Sequence, residues 1–478
     1  MTSYMDEKPS VKRTWRSVIW DNDADLKSPE ERRLVFKIDC TILIYACLGE
    51  FLKLLDQGNL SNAYISGMKE EINLTGNTYN TASSMFSVGY AIGIIPATLL
   101  LTKFRPSIIL PIAELFWGTA TLATCAVKTP AHLAACRFFV GLSEAPFYTG
   151  LVVILGTWYT PAEQGKRQSI LFVMAQVGNL FSGYLQASVY HLGGVSGMSG
   201  WRWLYVIDGC MTIPIALLGF LVFPDTPAAA RSFLFDASER ALATTRVQAA
   251  RIAQPTGHFI RWNVIKKALM NKYYWLFVLG YILYGLSTQA SSTWFGVWLK
   301  SENYSVSLRN IIPTCTNVVT IVSVLTFGWI SDIYRTRPKV IVAAITYSLF
   351  PQICLSVWNI PNGLKFFSYL TLGVEFITAL FFSWAAESMR DDFAVKAFTL
   401  ASMNALQYAM SAWVSILQFP ASQSPKFAFA YQLCAIFGGS CIGIIGIICW
   451  LQRREEGKRE TIEEEIIETS EKGEKEEK

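Results

Sequence analysis

The sequence predicts an all-α membrane protein with twelve transmembrane helices in two six-helix pseudo-repeats. Three observations carry that expectation. Hydrophobic residues make up 52% of the 478 and charged ones only 16%, with a mean hydropathy of +0.32, a balance unlike that of a water-soluble domain. Apolar windows of about 20 residues, enough to cross a bilayer, follow one another between short charged or Gly/Pro-bearing connections. One longer hydrophilic stretch, residues 224–272, divides them six and six. Helices are the natural choice because lipid offers the backbone no outside partner.

In chain order, a polar segment 1–37 precedes windows at 38–58, 79–101, 107–127, 131–155, 168–190 and 201–223. The connection 224–272 contains "DASERALATTRVQAARIAQ", whose helical periodicity starts at Asp236. The second set lies at 273–297, 310–331, 338–358, 363–386, 397–418 and 427–451. The expected units are therefore 1–37, a bundle 38–223, the connection, a bundle 273–452, and an acidic tail 453–478 that is disordered or weakly helical.

Lys and Arg collect on one side of these windows: in residues 12–37, in the connection, and after the last window, with Lys103, Arg105, Lys166, Arg167, Arg335, Arg337 and Lys339. By the positive-inside rule both termini are cytoplasmic. This topology accounts for the net charge of +5 without a nucleic-acid partner. The first forty residues are polar, so the first span is expected to act as its own targeting signal. Ten scattered cysteines without CxxC spacing read as packing residues, and neither a metal nor another cofactor is expected.

The halves resemble each other. "FFVGLSEAPFYTGLVVILGTWYTPAEQGKRQS" aligns with "LTLGVEFITALFFSWAAESMRDDFAVKAF", each placing a Gly shortly before an acid: Gly141 and Glu144, then Gly373 and Glu375. Chance likeness of apolar helices is the alternative, but the charged positions match too.

Acids and bases inside spans point to function, since each costs about 2.5 to 3.5 kcal/mol unless it meets a cavity or partner. Glu50, Lys53 and Asp56 lie along one helical face with Gln57. Asp56 near the boundary and a snorkelling Lys53 are the blander readings. Arg137 and Glu144, seven apart, share another face; they read either as a structural pair or as an anion and proton site. Gln176, Asn179 and Gln186, Tyr281, Tyr284, Ser287 and Gln289, and Asn404 and Gln407 form polar faces that line a cavity or bind helices together. Glu114, Asp208, Glu375 and Glu387 are further intramembrane acids. "FGWISDIYRTRPKV" carries Gly328, Asp332, Arg335 and Arg337: a Gly for close approach, an Asp to cap or pair, and basic residues to grip the other half. Sequons at Asn73 and Asn303 fall in the connections opposite the termini.

The G-x-x-x-D loop resembles the cytoplasmic signature of the major facilitator superfamily. The first half's counterpart, "LLLTKFRPSIIL", keeps only Lys103 and Arg105. "RFFVGLSEAPFYTG", "GTWYTPAEQGKRQSI" and "FSGYLQASVYHLGGVSGMSGWRWLYVIDG" resemble the fungal allantoate permease branch of anion:cation symporters, and within it pantothenate and related vitamin transporters. The likeness runs from about Ser28 to Arg454. It implies secondary active, proton-coupled import of a small organic anion at the plasma membrane by a monomer. Carried over by position, Asp56 and Glu144 match membrane acids linked to protons, and Arg137 matches a fourth-span Arg. Many relatives have Arg where this chain has Gln57; Lys53, one turn earlier, is the expected replacement, in a cavity shared with Arg137. The fifth span reads "QVGNLFSGYLQ" without an antiporter signature, which favours uptake. Export, or nutrient sensing without transport, are the alternatives. An enzyme is not expected, because no Walker loop or nucleophile constellation occurs and the three histidines are dispersed.

Overall fold

Helix starts coincide with caps written in the sequence. In the computed structural model, which describes residues 27–227, 234–249, 262–289, 292–334, 336–389 and 393–476, Ser28 Oγ accepts from the Glu31 amide at 3.2 Å ahead of Pro29. Thr129 does the same for His132 ahead of Pro130, and at Thr160 a capping box closes as its amide donates to Glu163 Oε2 at 3.0 Å. Each cap satisfies an amide that the first helical turn leaves unpaired, and Pro at the first position forfeits no bond.

The first window is the middle of a longer rod. α1 (Pro29–Ile38) passes through a π-helical turn, Asp39–Leu43, into α2 (Ile44–Ala63). A second such turn, Tyr64–Met68, ends where Gly67 takes φ +116. The half continues with α3 (Thr78–Lys103), α4 (Pro106–Thr124), α5 (Pro130–Trp158), α6 (Pro161–Val189) and α7 (Gly200–Val222). In the connection, α8 (Ala237–Ala249) begins after Asp236, whose carbonyl accepts from the Arg240 amide at 3.0 Å. The rest of that periodic stretch lies outside the described residues, and α9 (Trp262–Leu269) follows.

Three windows of the second half are broken. The seventh is α10 (Lys272–Ser287) and α11 (Ser292–Ser301); the eighth is α12 (Val306–Ile311) and α13 (Thr314–Tyr334). α14 (Arg337–Val357) is continuous, but the tenth divides into α15 (Asn362–Thr371), a 3₁₀ turn at Leu372–Glu375, and α16 (Thr378–Ser388). α17 (Phe393–Gln418) and α18 (Ala430–Glu476) complete the chain. α18 runs on through the tail expected to be disordered or weakly helical, where Glu and Lys are good helix formers. Among the described residues, seven helical stretches, two of them interrupted, are long and apolar enough to cross a bilayer. The rod holding Glu50, Lys53 and Asp56 is not among them, and its charges must be met inside the protein. Among the described residues there is no strand.

α3 packs on α5, α2 on α6 and α7, and α4 on α5 and α7, while α18 packs on α10 and α14. The halves meet along α3 against α17 and α6 against α12 and α13. The twelve spans thus form two six-helix units facing each other across a central seam. α8 lies against α1, which defines a connection end; the opposite end is called distal.

Candidate functional site

A cavity of about 410 Å³ lies in the seam. α2 contributes Glu50, Lys53 and Gln57; α3 Tyr79, Asn80 and Tyr90; α5 Tyr148; α6 Gln176; α10 Tyr281 and Tyr284; and α17 Asn404, Gln407 and Tyr408. Lys53 is the only basic residue lining it among the described residues. Its ammonium donates to both Glu50 oxygens, at 3.2 and 3.3 Å, and stands 5.4 Å from the Tyr148 ring centroid. The cation is therefore held in place by its own helix and an aromatic face.

Of the residues singled out in the sequence, Lys53, Gln57, Gln176, Tyr281, Tyr284 and Asn404 line this cavity, as do Gln289 and Gln407. Asp56, Arg137, Glu144 and Asn179 do not. Arg137 Nη1 donates to Asp56 Oδ2 at 3.2 Å, with both side chains buried. Glu144 instead accepts from Gln57 Nε2 at 2.7 Å, one hydrogen bond behind the wall. So the Arg137–Glu144 pairing suggested by spacing gives way to two contacts with α2, because α2 crosses α5 between those positions. Lys53 and Arg137 do not share the cavity as expected. Asn179 Nδ2 reaches Asn317 Oδ1 across the seam at 3.5 Å.

Three of the further intramembrane acids meet neutral donors. Asp208 accepts from Asn59 at 2.6 Å, Glu114 from Tyr45 at 2.5 Å, and Glu375 from Ser287 and, at 3.0 Å, from Gln352. These bonds anchor helices inside one half. Gln186 and Ser287, expected on polar faces, are fully buried away from the cavity.

The signature loop is placed differently from its reading. Gly328 and Asp332 lie in the last turns of α13, and among the described residues a Cβ on Gly328 would meet nothing within 4 Å. Arg337 bonds Ser331 at 3.0 Å and Glu387 at 3.3 Å, both in its own half. Arg335 lies outside the described residues. Asn73 and Asn303 are exposed at the distal end in left-handed turns, φ 55 and 60.

Sequence reasoning missed the α3 wall. Tyr79, Asn80, Ser83, Ser87 and Tyr90 recur at helical spacing on one face, a signal present in the second window. Tyr90 packs on Tyr408 of the other half with centroids 4.3 Å apart. At the distal end Asn80 Nδ2 donates to the Phe419 carbonyl at 2.7 Å while the Ala421 amide donates to Asn80 Oδ1 at 2.8 Å. Asn310 to Ser66 at 2.9 Å and Lys300 to Glu70 at 2.6 Å close the same end.

Known proteins share both sequence and fold. The chain is 34% identical over 451 residues to the pantothenate transporter FEN2 of Saccharomyces cerevisiae, covering 91% of this chain and 87% of that one. It is 31% identical over 442 residues to the pantothenate transporter liz1 of Schizosaccharomyces pombe, covering 91% and 85%. The partially occluded, inward-open xylose transporter XylE from E. coli superposes with a TM-score of 0.63 at 14% identity, over 86% of this chain and 96% of that one, a likeness of fold. The model of the Major Facilitator Superfamily matches residues 46–415. Two six-helix units around a polar, Lys53-bearing cavity, together with these matches, show that the chain belongs to the major facilitator superfamily: an integral-membrane secondary active transporter of small molecules, not an enzyme.

Proposed function

We propose that this transporter imports a small organic anion, pantothenate or a related vitamin carboxylate, together with protons across the plasma membrane, with both termini cytoplasmic. The observation that carries the reading is Lys53: a buried ammonium beside Glu50 in a wall whose other described side chains carry no charge. A carboxylate can replace Glu50 on it, while Gln176, Asn404 and the tyrosines supply hydrogen bonds to the amide and hydroxyls of a pantothenate-sized molecule. The volume falls within the range of about 300 to 1,000 Å³ usual for small-molecule sites. The pantothenate relatives support the same substrate.

Asp56 and Glu144 are the acids assigned to coupling. Glu144 touches the cavity wall through Gln57, so a change in its protonation is felt where substrate sits. Alternating access follows if the distal contacts open while the connection end closes. Uptake of labelled pantothenate, biotin and nicotinate by a transport-deficient fungal strain, at two pH values, tests the reading. Acid-stimulated pantothenate accumulation is expected; extrusion of preloaded pantothenate, or binding without flux in proteoliposomes, would overturn import.

A further inference from the structure

Glu50 is the one charged cavity residue to which the proposed import cycle gives no task beyond holding Lys53. It sits one turn before Lys53, 3% exposed against 5% for the lysine, and engages the ammonium with both oxygens. The site thus already carries a carboxylate on the cation that an anionic substrate needs. Substrate and Glu50 compete for it.

The neighbours of Glu50 decide the outcome of that competition. Cys47 and Lys53 face it from α2, Tyr90 from α3, Glu114 from α4, Tyr148 from α5 and Tyr408 from α17, while Glu144 lies near Lys53. Lys53 is the only cation in that set. Glu114 is occupied by Tyr45 at 2.5 Å. If a substrate carboxylate took Lys53 from an ionised Glu50, a buried charge would remain with no counter-ion, which is strongly unfavourable.

We infer that Glu50 is a resident counter-ion, displaced from Lys53 by the substrate anion as Glu50 takes a proton from cavity water. A hydronium ion gives its proton to a Glu50 oxygen, leaving water, and Lys53 stays an ammonium that exchanges one carboxylate for another. Anion and proton enter together, so the cavity's charge is unchanged. On release the anion leaves, Glu50 returns its proton to water, and the Glu50–Lys53 pair reforms. This step rests on the anion reading of the cavity, and it adds a cavity-facing proton site to the more deeply set Asp56 and Glu144.

Two measurements on the purified full-length protein test it. Calorimetry of pantothenate binding in buffers of different ionisation enthalpy counts protons taken up per anion. Glu50→Gln is expected to take up about one fewer than wild type, and Glu50→Asp to restore the count with a shifted pH midpoint. An equal count in Glu50→Gln, or an unmoved midpoint in Glu50→Asp should the Gln variant not fold, overturns the inference. Infrared difference spectra, pantothenate-bound minus free at constant pH, are expected to show a new carboxylic C=O band that is missing in Glu50→Gln; a band equally strong in that variant also overturns it. If wild type binds no pantothenate, the pantothenate reading fails, while the same difference spectra taken with biotin or nicotinate still decide the role of Glu50.

Discussion

Lys53 and Asp56 are three residues apart on α2 yet have different partners: Lys53 turns to Glu50 and the cavity, Asp56 to Arg137 at 3.2 Å. Removing one member of a buried ion pair leaves an uncompensated charge, at a cost of about 3 to 5 kcal/mol. Arg137→Gln is accordingly expected to lower the melting temperature of the purified protein as well as transport. Lys53→Gln is expected to weaken anion binding at least about tenfold, or about 1.4 kcal/mol. Unchanged affinity in Lys53→Gln beside its abolition in a folded Arg137→Gln would move the anion site to Arg137. Glu144→Gln should prevent concentrative uptake while exchange or downhill flux persists. Equal loss of every transport mode at normal surface expression would make Glu144 a structural residue. The charged face of α2 and the positions of Arg137 and Glu144 were legible in the chain. Their partners were not, because periodicity gives a direction around one helix and says nothing of which neighbour stands there.

At the scale of elements, α3 and α5 approach each other backbone to backbone. A Cβ on Gly141 would lie 2.1 Å from the Phe86 carbonyl oxygen, and one on Gly89 2.2 Å from that of Phe138, so each helix needs a glycine where the other's backbone passes. Gly141→Val should force the helices apart and destabilise the fold by at least about 1 to 3 kcal/mol, read as a lower melting temperature; an unchanged one would refute the contact. The sequence marked Gly141 only by its repeat position. At the connection end, Lys37 meets Glu239 at 2.7 Å, and Arg246 meets Glu31 at 2.6 Å and also Glu163, pinning α8 to its own half. Burial pushes the Glu239 carboxyl up, but the Lys37 ammonium and the Asp236 amide outweigh it and hold it below the usual carboxylate range. A depressed value means that the contact stabilises above the unfolded carboxylate's pKa of about 4.3 and is lost as pH falls through the lower folded value. Limited proteolysis of the connection should therefore accelerate in that acid window, and Lys37→Gln should flatten the dependence. A pH-independent cleavage rate in wild type would count against the clamp.

At the scale of the whole molecule, the distal seal determines which side the cavity can face. Asn80 binds a carbonyl and an amide of the Phe419–Ala421 turn, spanning the two halves as a backbone pairing would. Losing both bonds in Asn80→Ala, each worth about 0.5 to 1.5 kcal/mol, should shift the population toward a distal-open state. Labelling of a cysteine introduced at Ser83, which lines the cavity just inside Asn80, should then speed up from the distal side; an unchanged rate would show that the remaining contacts suffice. By itself the sequence determined the membrane class, the six-plus-six division, the family and the charged face of α2. Each of these depends on local quantities: hydropathy over about 20 residues, helical phase and short motifs. Only the tertiary structure decided that Arg137 holds Asp56, that Gln57 screens Glu144 from the cavity, that Lys53 carries a built-in counter-ion, and that Asn80 latches the distal end. Apart from the Glu50–Lys53 pair, one turn apart on α2, these are contacts between residues far apart in the chain, set by how helices and two bundles pack, and no local pattern encodes them.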